Sequence, residues 1–158
     1  MTIWTKRIVL AATAVAAIGL LGATVSQAQN SPIDQRRALM KANGQAMQAM
    51  KAVVEAKGDA KAMATHAAAV AKNLADAAKL FPAGTDKPAG KDPGQTQALA
   101  DIWKNMADFE ALDKASAAAA LKLEASAKTG DIAKAAADFG DLGKSCGACH
   151  NKYRAKQQ

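Results

Sequence analysis

Two cysteines and a histidine close to the end of the chain are the residues whose types and spacing specify a chemistry. Cys146-Gly147-Ala148-Cys149-His150 is a C-x-x-C-H pattern, the arrangement that attaches a c-type haem. On a helix, Cys146 and Cys149 stand at i and i+3, and His150 at i+4 from the first. One face then offers two thiols to the haem vinyl groups and an imidazole to the iron. A zinc site would need a second pair of ligands, and a thiol-redox C-x-x-C belongs to a βαβ context. Neither context accompanies the motif. Cys146 and Cys149 are therefore expected to anchor one covalent haem c, with His150 as the proximal iron ligand. No methionine or histidine follows His150, so any second axial ligand must come from upstream. Met40, Met47, Met50, Met63, Met106 and His66 are the candidates, and their spacing does not separate them. A thioether would raise the potential of the iron and an imidazole would lower it.

The elements that must position these groups read as helices. Ser31-Pro32 is a helix start, a capping hydroxyl followed by a proline at the first helical position. Ile33, Met40, Met47 and Val54 then recur every seventh residue, which predicts an amphipathic helix over roughly 32 to 57. Gly58 is expected to close it and Asp59 to open the next. Met63, Ala67, Val70, Leu74 and Ala77 form the stripe of a second helix that Pro82 stops. From Pro82 to Gly94 the composition turns to proline and glycine without apolar period, which predicts one long loop. A third helix is expected from near Thr96, through Leu99, Ile102, Trp103, Met106 and Phe109, to about Lys128. Gly130-Asp131 supplies a stop and a cap. In the fourth helix Ile132, Phe139, Cys146 and Tyr153 fall seven apart, with Ala135, Leu142 and Cys149 beside them. The anchoring cysteines thus continue the core stripe. The pattern describes an all-α, antiparallel four-helix bundle with a long loop between the second and third helices. Aromatic residues make up 4% of the chain, so a buried haem would supply much of the core's large apolar surface.

Residues 1–28 read as a secretory signal. Lys6 and Arg7 precede an apolar run from Ile8 to Val25, and Ser26-Gln27-Ala28 offers a small-x-small cleavage site. The mature domain would be residues 29–158, located in the periplasm without stable membrane insertion. Loss of Lys6 and Arg7 lowers the formal charge from +7 to +5, still modestly basic. The lysines are dispersed and no nucleic-acid motif is present, so nucleic acid is excluded as a partner. A solvated helical surface accounts for them, as would orientation towards an acidic redox protein of the periplasm.

The mature chain resembles the class II cytochromes c, the group of cytochrome c′ and its low-spin relatives of the cytochrome c-556 type. The matching residues are Arg36-Arg37-Ala38-Leu39-Met40-Lys41, Leu80-Phe81-Pro82-Ala83-Gly84, Ile102-Trp103 with Phe109, and Cys146 to Arg154. The resemblance implies a four-helix bundle with the haem motif in its last helix. It implies that Met40, four residues after Arg36, faces the distal side of the haem, either bound to iron or as a non-bonding plug. It implies also that Arg36 or Arg37 lies near a haem propionate, with Trp103 and Arg154 in the haem environment. Many relatives dimerise through the first two helices, so a homodimer is a further expectation. No distal histidine and arginine pair is evident, and no enzyme activity is expected. The function expected first is a low-spin electron carrier with His150 and Met40 on the iron. The alternative is a five-coordinate cytochrome c′ that binds nitric oxide or carbon monoxide.

Overall fold

A computed structural model describes residues 31–86 and 96–156. The predicted signal segment and most of the proline- and glycine-rich loop lie outside the described residues. Among the described residues no helix is long and apolar enough to cross a membrane.

Four long helices build the bundle: α1 (Pro32–Glu55), α2 (Lys61–Ala77), α4 (Met106–Thr129) and α5 (Ile132–Tyr153). A 3₁₀ turn, Ala78–Leu80, extends α2, and a single helical turn, α3 (Asp101–Lys104), precedes α4. The start of α1 follows its sequence: Ser31 Oγ accepts from the Asp34 N–H at 3.1 Å, and Pro32 sits where no intrahelical donor is needed. Its end differs from expectation. Lys57, not Gly58, takes the left-handed conformation at φ 49°. The Lys57 N–H donates to the Val54 carbonyl and the Gly58 N–H to the Val53 carbonyl, the paired bonds of a Schellman cap. At α4 the glycine is where it was expected, with Gly130 at φ 83°. Asp131 Oδ1 then caps α5 by accepting from the Lys134 N–H at 3.0 Å.

The third predicted helix is shorter than its apolar pattern suggested. The segment 96–99 is not helical: Ala98 pairs with Arg154 in an antiparallel bridge, the Leu99 N–H donates to the Tyr153 carbonyl, and the Ala155 N–H to the Gln97 carbonyl. These contacts span more than fifty residues and offer the backbone donors partners that a local helix would otherwise supply. Asn105, at φ −131°, separates α3 from α4.

The apolar interior has two parts. The larger cluster holds Met50, Met63, Val70, Leu74, Leu123 and Leu142, with Met40, Met47 and Cys146 against its edge. The smaller holds Ile102, Phe109 and Tyr153, with Phe81, Trp103 and Cys149 against it. Phe109 meets both Phe81 and Tyr153 edge-to-face, with ring centroids 4.7 and 5.6 Å apart. The helix pairs α1–α2, α2–α4 and α4–α5 pack along their lengths, whereas α1 and α5 touch at few points.

Candidate haem site

A cavity of about 860 Å³ occupies the gap between α1 and α5, with walls also from α2, α4 and the segment after the loop. That size suits a cofactor site, for which ~300–1,000 Å³ is usual. Cys146, Gly147, Cys149 and His150 all line it, whereas Ala148 does not and is exposed. Helical geometry produces this division, since positions i, i+1, i+3 and i+4 face one side and i+2 faces the other. Cys146 belongs to the edge of the larger apolar cluster and Cys149 to the edge of the smaller. The two thiols thus straddle the space between the two halves of the core.

The walls suit a flat apolar group. Gly44, Gly143 and Gly147 line the cavity, and a Cβ on any of them would meet no atom within 4 Å. The polypeptide's own packing does not require glycine at these places. What glycine supplies there is room beside the cavity wall. Both cysteines are free, and burial pushes both thiols up, Cys149 to about 11, with the Asp113 carboxylate adding to the effect. They are held as neutral thiols. Burial, with the nearby Arg154 charge, lowers the pKa of His150 and favours the neutral imidazole, the form that ligates a metal.

The upstream ligand candidates divide clearly. Met40 and Met47 line the cavity, one α1 repeat apart, and both are half-buried. Met50 and Met63 are completely enclosed in the larger cluster, while Met106 and His66 are not on the cavity wall. Arg36 is on the wall and only 3% exposed, but both of its terminal nitrogens are already engaged. Nη1 donates to the Leu80 carbonyl at 3.0 Å and to Thr85 Oγ1 at 2.8 Å, and Nη2 to Thr96 Oγ1 at 2.8 Å and to the Thr85 carbonyl. The guanidinium also lies over the Phe81 ring, 4.6 Å from its centroid. Arg37 lines the rim and pairs with Asp34 at 3.6 Å. Trp103 is not on the wall; its indole N–H donates to the Phe81 and Pro82 carbonyls at 3.0 and 3.1 Å. Arg154 lines the cavity from the C-terminal bridge.

Two polar wall residues escape a reading by motif. Asn43, one turn beyond Met40, is 9% exposed, and its Oδ1 accepts from Asn73 Nδ2 at 2.9 Å. Asp113 is 8% exposed, and burial raises its carboxyl to about 6, against a smaller opposing effect of Lys114. Asn43 stands three residues after Met40 and Asp113 four after Phe109, so helical spacing from a recognised residue was the available signal for each.

The sequence model described as Cytochrome C′ matches residues 31–154. A cytochrome c′ of Rhodopseudomonas palustris is 34% identical over 145 residues, covering 90% of this chain and 94% of the relative. The crystal structure of cytochrome c′ from Thermochromatium tepidum superposes with a TM-score of 0.72 at 32% identity, covering 79% of this chain and 95% of the other. The nitric oxide complex of a variant cytochrome c′ from Alcaligenes xylosoxidans gives 0.67 at 29% identity, covering 80% and 98%.

These matches correct the function expected first. The low-spin carrier required Met40 as a second protein ligand, and an iron held on both faces offers no position to a diatomic gas. Most of the similar proteins are cytochromes c′, one of them seen with nitric oxide, alongside cytochromes c-556 of Agrobacterium tumefaciens at 34–35% identity, so the comparisons favour the alternative reading. The expectation failed because a methionine beside an apolar stripe serves equally as iron ligand and as flexible filler. Motif, bundle and matched length together place the chain in the cytochrome c′ family of class II cytochromes c, with one covalently attached haem c as its cofactor.

Proposed function

We propose that this protein is a periplasmic, five-coordinate cytochrome c′ that binds nitric oxide or carbon monoxide. The observation that carries the reading is the cavity between α1 and α5, which has the C-x-x-C-H face on one side and the half-buried thioethers of Met40 and Met47 on the other. When bound, the haem would supply an iron able to take a diatomic gas.

The chain's residues perform the rest. Cys146 and Cys149 would hold the haem through two thioethers, each thiol S–H adding across one vinyl group. His150 presents a neutral imidazole to the metal, and Arg154 sets the charge beside it. Met40 is a non-bonding distal plug: its flexible thioether excludes water and moves aside when a gas enters. Arg36 holds the two ends of the loop against the cavity mouth. In this reading residues 1–28 are removed on export to the compartment where the haem is attached.

Absorption spectra of both oxidation states, taken before and after carbon monoxide, test the proposal. A high-spin spectrum that shifts with carbon monoxide is expected. A low-spin spectrum that ignores the gas overturns the reading. Mass spectrometry of the exported protein should show a chain beginning at Gln29 that carries one haem.

A further inference from the structure

Several polar side chains on the cavity wall are committed to partners within the protein. The Ser116 hydroxyl donates to the Leu112 carbonyl at 3.0 Å, Thr96 Oγ1 accepts from Arg36, and the Arg36 guanidinium is divided among Leu80, Thr85 and Thr96. Asn43 is different. A primary amide has two N–H donors and an acceptor oxygen. The bond from Asn73 on α2 occupies the oxygen, and the Asn43 NH₂ has no hydrogen-bond partner among the described residues. The NH₂ is not among the fully enclosed side-chain atoms, so it keeps access to the cavity and is available to an acceptor that enters there. Asn43 shares its face of α1 with Met40, Gly44 and Met47, all on the cavity wall. That wall lies across the gap from the helix that carries His150. Asn73 itself is not on the wall, and its bond takes up the Asn43 oxygen, leaving the NH₂ end of the amide for the cavity.

We propose that Asn43 determines ligand specificity in this protein, its side-chain NH₂ donating a hydrogen bond to a diatomic gas in the cavity while Asn73 holds the amide in orientation. The inference rests on the gas-binding reading above. A neutral donor favours ligands whose outer atom carries negative charge, so nitric oxide gains more from it than carbon monoxide does. Met40 sets whether a gas can enter, and Asn43 sets which gas stays.

The test uses haem-loaded, reduced protein in native, Asn43→Leu and Asn73→Leu forms. In the native carbon monoxide complex, the C–O stretching band should shift when the solvent is changed to D₂O. In Asn43→Leu the band should move to higher frequency and lose that shift. Nitric oxide should leave Asn43→Leu roughly two- to tenfold faster, the range expected for one lost hydrogen bond, with a smaller change for carbon monoxide. Asn73→Leu should move both readouts in the same direction by a smaller amount. A native band insensitive to D₂O overturns the proposal without any variant, as do unchanged bands and rates in a folded Asn43→Leu protein. A native protein that takes neither gas overturns the gas-binding reading, and this inference with it.

Discussion

At the scale of single residues, the site is governed by where buried polar groups find partners. Arg36 has been drawn into the interior by four acceptor contacts and an aromatic face, and desolvation lowers its pKa while the Asp86 charge opposes that. Arg36→Met should cost ~2–4 kcal/mol, read as a lower melting temperature, because it strands the Leu80 and Thr85 carbonyls. Arg36→Lys should recover little, since one ammonium cannot reproduce the planar fork. Asp113 makes the opposite case. Its carboxyl titrates at about 6 in the native state against an ordinary value of 3.8. Between those values the native protein keeps a proton that the unfolded chain has lost, so this group's contribution to stability falls as pH rises through the window. Asp113→Asn should therefore match the native protein below about pH 4 and exceed it by ~1–3 kcal/mol above about pH 7. Thermal melts at the two pH values check the sign. An equal difference at both would show that the carboxyl does not titrate in that range.

At the scale of elements, the helix ends show where local rules hold and where packing overrides them. Ser31, Gly130 and Asp131 cap as their types require, because capping depends on a few neighbouring backbone groups. Lys57 does not. It sits in a conformation that suits glycine, while at Gly58 next to it a Cβ would meet Val53 Cγ1 at 3.6 Å, an ordinary contact. Lys57→Gly should therefore stabilise the protein by ~0.5–1 kcal/mol, measurable as a rise in the urea midpoint, whereas Gly130→Ala should destabilise it by ~1 kcal/mol. The segment 96–99 is the larger departure. Leu99 and Ile102 fit a helical period, yet the chain there bonds to the end of α5 instead. That pairing ties Arg154 and Tyr153 to the cavity wall. Tyr153 also donates to Asp108 Oδ2 at 2.5 Å, and Lys152 reaches the same oxygen at 2.8 Å. The carboxyl of Asp108 is held below its ordinary range, first by Lys152 and then by Tyr153.

At the scale of the whole molecule, the space between the two apolar clusters decides the relation between fold and cofactor. A dry cavity of about 860 Å³ would cost on the order of 20 kcal/mol at the ~24 cal/mol per Å³ found for core voids. The total stability of a domain is ~5–15 kcal/mol. Without haem the space must fill with water or collapse. A Cys146→Ser, Cys149→Ser double variant that carries no haem should keep much of its far-ultraviolet helical signal but lose near-ultraviolet ellipticity and bind a hydrophobic dye. Sharp, dispersed side-chain resonances in haem-free protein would contradict this.

The sequence by itself determined the C-x-x-C-H spacing, the helical class and most helix ends. These depend on spacing within one turn or on a repeat within one helix. The C-x-x-C-H face, the seven-residue stripes and the caps are all such signals. Only the tertiary structure reduced six upstream ligand candidates to the two methionines on the cavity wall, because which part of a stripe meets the gap depends on how α1 is set against α5. It alone showed that Arg36 is spent on the loop, that Trp103 stands off the wall and that Asn43 keeps a free donor beside Met40. Those outcomes are fixed by partners 21 to 60 residues away, and no local period encodes them.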